Sequence, residues 1–143
     1  MKSAVQAFGT EMTISRTSAS VWTGRVITTL IVLFCAFDGI MKVIKEPHVL
    51  AASAELGYPP GSIVAIGALL LACTLVYAVP RTAPLGAILL TGYLGGAVAS
   101  NIRISHPLFE CIFPVIFGVL VWAGLLLRDV ELRDMILSRK IRH

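Results

Sequence analysis

Charge is what this chain most lacks. Charged side chains make up 14% of its 143 residues, against roughly 25% in an ordinary globular chain. With 57% of residues apolar and a mean hydropathy of +0.86, too little polar surface remains to cover a water-soluble domain. The same scarcity excludes a disordered chain and a charge-rich coiled coil. Cysteine is also sparse. Cys35, Cys73 and Cys111 are widely spaced and odd in number, which argues against a disulfide-stapled secreted domain. No C-x-x-C exists, so neither a thiol redox pair nor a zinc site is signalled. Walker A, G-x-S-x-G, H-E-x-x-H and the dinucleotide fingerprint are all missing. His48, His106 and His143 fall in loops or the tail, so no heme or other metal site is expected.

What is present is long apolar runs. A spanning helix needs about 20 mostly apolar residues. Windows at about 25–44, 61–79, 83–100 and 108–127 qualify, and each is apolar on nearly every face. The sequence therefore predicts an all-α membrane protein, a bundle of four transmembrane helices. Its parts are a flexible tail over 1–20, the bundle over 21–128 and a basic tail over 129–143. The first run continues through Gly39-Ile40-Met41 without an A-x-A site, so it reads as a span rather than a cleaved leader. The turn Pro80-Arg81-Thr82-Ala83-Pro84 is too short for anything but antiparallel neighbours. Between spans one and two, His48 to Leu56 reads as a short interfacial helix, with Pro47 suited to its start and Gly57 to its C-cap.

The net charge of +4 resides mainly at the two ends. That fits anionic lipid headgroups, and no basic-aromatic platform points to nucleic acid. Nine Lys and Arg residues fall on the side of the termini and three (Lys42, Lys45 and Arg103) on the other. This asymmetry predicts a bacterial-type inner (plasma) membrane protein with both termini cytoplasmic.

Asp38 is the least expected residue. Inside the first span, a carboxylate facing lipid costs about 2.5–3.5 kcal/mol. It should face the bundle and have a partner, and Lys42 stands one turn away. Asn101, Arg103, His106 and Glu110 reach the same membrane face, so these six residues form a candidate polar pocket. Their catalytic roles, if any, are not legible. On span three, Gly92, Gly95, Gly96 and Ser100 make a small face, read first as helix packing, second as a homodimer seam and third as a groove for a flat ligand beside Tyr93. Tyr77, Trp22 and Trp122 read as interface anchors, and Pro114 as a kink that widens a pocket.

The runs DGIMK at 38–42, LGYP at 56–59, YAVPRTAPLGAILLTGYLGGAVASNIR at 77–103 and HPLF…FPVIFGVLVWAGLLLRD at 106–129 resemble the DoxX-like branch of the DoxX superfamily. The resemblance spans about 23–133 and implies a four-helix membrane bundle. Members of the wider superfamily are linked to thiosulfate:quinone oxidoreduction and to the maturation of redox enzymes. In the pattern, span two often carries an acidic residue where this chain has Leu70, and span three a histidine where it has Asn101. Two functions are therefore expected. One is a redox-linked subunit binding a quinone or other lipid-soluble molecule near the outer face, beside an electron-transfer partner. The alternative is a non-enzymatic assembly or stabilising subunit of another membrane protein. A permease would need a polar path that spans two and four do not supply.

Overall fold

The computed structural model describes residues 1–138, the side chains of 11–17 and 138 excepted. It is all-helical: α1 (Lys2–Val43), α2 (Pro47–Glu55), α3 (Pro60–Ala78), α4 (Ala83–Arg103), α5 (Leu108–Arg128) and α6 (Val130–Ser138). Within them, Ser18–Val43 of α1 and the whole of α3, α4 and α5 are long and apolar enough to cross a membrane. The polar stretch expected as a tail instead continues α1 to Lys2, which at 1.5 Å per residue makes a rod of about 63 Å. No proline precedes Pro47, and extending an existing helix avoids the cost of nucleation. Residues 139–143, the basic end of the expected C-terminal tail, lie outside the described residues.

α1 packs against α3 and α5, and α4 against the same two, so the spans form a ring. Large apolar side chains such as Leu30, Leu33, Leu75, Ile88 and Val119 point outward, where hydrocarbon solvates them. With no hydrophobic drive between helices in lipid, close backbone approach has to hold the ring. Glycines supply it. A Cβ on Gly67 of α3 would lie 2.6 Å from Lys42 Cβ and 2.8 Å from the Gly39 carbonyl of α1. A Cβ on Gly24 of α1 would lie 2.5 Å from the Arg128 nitrogen of α5, and one on Gly86 of α4 would lie 2.3 Å from Tyr77 of α3. The α4–α5 seam carries a hydrogen bond instead, from Trp122 Nε1 to Thr91 Oγ1 at 3.0 Å.

These contacts correct two readings. Within the chain, a Cβ on Gly92, Gly95 or Gly96 would meet nothing within 4 Å, so the G-x-x-x-G of α4 is not an internal packing seam. Tyr77 is not an interface anchor. It is fully buried, donates to the Val121 carbonyl at 2.8 Å, and has the Arg128 guanidinium over its ring.

Three helices, α1, α2 and α4, end on the same face in the same way. Lys45, Gly57 and Ser105 each take a left-handed conformation (φ 57°, 79° and 58°). In each, the next residue's N–H reaches back five residues: Glu46 to Met41, Tyr58 to Ser53 and His106 to Asn101. These are Schellman caps, one of them built on the expected glycine. At the start of α2 the Glu46 carboxylate accepts from the N–H groups of His48 and Val49, ahead of Pro47. So anchored, α2 folds over the end of the bundle remote from the α3–α4 turn.

Candidate functional site

At the end near Arg128, Gly24 and Gly86 fit against backbone, while toward α2 the ring surrounds a common space. There it encloses a cavity of about 580 Å³. For scale, an apolar cavity of about 150 Å³ holds benzene, so a ringed head and part of a chain fit here. The walls are mostly apolar. Phe34 of α1 and Phe113 and Phe117 of α5 form an aromatic wall, with ring centroids 4.5 Å (Phe34–Phe117) and 4.8 Å (Phe113–Phe117) apart. The bare backbone of Gly92 and Gly96, with Tyr93 between them in sequence, lines the α4 side. Cys35, Leu70 and Cys73 complete the walls, and all three are buried. Two lining residues, Leu69 and Leu89, are 56% and 41% exposed on the outer surface of α3 and α4, so the apolar wall is continuous with the lipid-facing surface.

Polar groups gather at the α2 end. Asp38 and Lys42 are paired one turn apart on α1. Tyr58 and Ser100 share a hydrogen bond of 2.6 Å, and buried Ser53 of α2 closes the roof. Asn101 lines the cavity too, with its amide already engaged: Nδ2 donates to the Glu110 carbonyl at 3.0 Å. That carbonyl is the one a residue at 114 would normally satisfy, and Pro114 has no N–H to give. Asn101 therefore supplies from α4 the hydrogen bond that Pro114 removes from α5.

Of the six residues expected to form a polar pocket, the structure brings Asp38, Lys42 and Asn101 to the cavity. The other three are engaged beside it. Arg103 Nη2 donates to the Leu56 carbonyl at 2.6 Å and clasps the end of α2. His106 and Glu110 pair with each other at the start of α5. Of the small face of α4, Gly92, Gly96 and Ser100 line the cavity, whereas Gly95 does not. Sequence reasoning missed the aromatic wall and the Tyr58–Ser100 bond. The Phe113-to-Phe117 spacing of one helical turn was an available signal for the first. Nothing local signalled the second, which joins residues 42 apart in the chain.

Fold and cavity together define a small multi-pass integral membrane protein with an intramembrane pocket. The model of the DoxX-like family matches residues 26–124, well over half the chain, and the protein belongs to that family. Neither curated proteins nor solved structures yield a match.

Proposed function

We propose that the protein binds a lipid-soluble small molecule of the quinone type in this cavity, as a redox-linked subunit of the inner membrane, with the α2 face outward. The observation that carries the reading is the cavity itself. It is mostly apolar, with an aromatic wall on one side, glycine backbone on another, and its charged pair near the α2 end. The two positions at which the chain departs from the pattern it resembles, Leu70 and Asn101, both line it. A quinone supplies reversible two-electron, two-proton chemistry. Lys42, which keeps N–H groups beyond the one given to Asp38, is the donor available to its oxygens, and Asp38 is the carboxylate positioned to exchange a proton. Electrons would come from a partner, because the chain has no cofactor motif of its own.

Mass spectrometry of molecules that co-purify in mild detergent tests this. A quinone or similar molecule is expected with the wild type and with Gly95→Leu, and is lost from Gly92→Leu, whose side chain intrudes into the cavity. No such molecule with the wild type, or equal amounts in all three proteins, would sink the proposal. The uncontacted backbone of Gly95 favours a second reading, in which α4 receives a helix of another membrane protein. In that case Gly95→Leu abolishes crosslinking to the partner.

A further inference from the structure

Asp38 and Lys42 are the charged residues that line the cavity, and each is the other's partner. The neighbouring charges are occupied outside it: Arg103 on the Leu56 carbonyl, Glu110 on His106, and Glu46 on the first N–H groups of α2. The lining is thus neutral overall, with both signs of charge at one point. The Lys42 and Asp38 side chains are 17% and 35% exposed, so a ligand meeting them leaves much of its water behind. A charged head would meet attraction and repulsion together there and recover little of its lost hydration. A neutral head keeps the pair intact and gains hydrogen bonds. Taking away one member leaves the other unpaired, and a ligand of opposite sign then restores the balance.

We infer that the Asp38–Lys42 pair is a charge filter. It restricts the cavity to bilayer-dissolved molecules with neutral polar heads, Lys42 excluding cationic heads and Asp38 anionic ones. The inference rests on the cavity being the ligand site proposed above.

The test uses the full chain in nanodiscs. Three probes share a naphthyl ring and an alkyl chain and end in a hydroxyl, a trimethylammonium or a sulfonate. Binding is read from naphthyl fluorescence against empty nanodiscs. Wild type is expected to prefer the hydroxyl probe to either charged probe by about tenfold or more. Lys42→Met should shift preference toward trimethylammonium, and Asp38→Asn toward sulfonate, each by about tenfold. The double variant, Asp38→Asn with Lys42→Met, should return to the wild-type order, which also shows that the single variants fail by charge and not by misfolding. If all four proteins rank the probes alike, or both single variants shift toward the same sign, the filter is refuted while the binding site stands. If wild type binds none of the probes above the empty-nanodisc level, the site and the filter fall together.

Discussion

Single residues in this chain compensate for one another's backbone chemistry. Pro114 frees the Glu110 carbonyl, and Asn101 occupies it from the neighbouring helix. Asn101→Leu should therefore cost about 0.5–1.5 kcal/mol, the net worth of one hydrogen bond at a partly exposed site. In a Pro114→Ala background the helix regains its own N–H, and the same substitution should cost markedly less. Chemical denaturation of the four proteins in detergent gives the coupling directly, and equal costs in the two backgrounds would show that Asn101 does something else. A second compensation is incomplete. Lys45 and Ser105 hold left-handed conformations that a side chain disfavours. Lys45→Gly and Ser105→Gly should each raise stability by about 0.5–1 kcal/mol, read as a higher unfolding midpoint. Gly57 already has this conformation without a Cβ, so Gly57→Ala should move the midpoint the other way.

Helices pair here through particular glycines, and their identity was not legible in the sequence. The spans, the α3–α4 turn and α2 were legible, because hydropathy, Pro80-Arg81 and the Pro47…Gly57 bracket act locally. So was the Asp38–Lys42 pair, one helical turn apart. The rotation of each helix was not, since a span apolar on all sides shows no inward face. Gly92 and Gly96 have the spacing of a packing motif, yet they face a cavity, while Gly24, Gly67 and Gly86 carry the seams without any such motif. The pocket residues were blurred for a related reason. Arg103, His106 and Glu110 do reach the expected face, but their engagement depends on where the α2 carbonyls and each other's side chains fall after folding. The seams make a contrast that can be measured. Gly86→Ala places a carbon 2.3 Å from the Tyr77 backbone, which cannot yield as a flexible side chain would, and should cost about 1–3 kcal/mol or prevent folding. Gly95→Ala meets open space and should be neutral or slightly stabilising through helix propensity. If both alanines behave alike in a thermal-shift assay, the packing described for α3 and α4 is wrong.

Across the whole molecule, polarity is divided between two ends. The start of α6 shares one end with Arg25, Arg81 and Arg128, while Lys42, Lys45, Arg103 and the roofed mouth of the cavity occupy the other. Because cytoplasmic loops collect Lys and Arg, this division predicts that α2 faces away from the cytoplasm. Exposed positions on the two ends make that testable in intact cells. In a background of Cys35→Ala, Cys73→Ala and Cys111→Ser, Glu55→Cys on α2 should react with a membrane-impermeant maleimide added outside. Arg81→Cys, in the α3–α4 turn, should react only after the membrane is opened. The opposite pattern would place the polar end of the cavity toward the cytoplasm. Any proton exchanged at Asp38 would then be drawn from the cytoplasmic side rather than released outside. The direction of labelling thus fixes more than topology, because it decides which compartment the polar end of the site can communicate with.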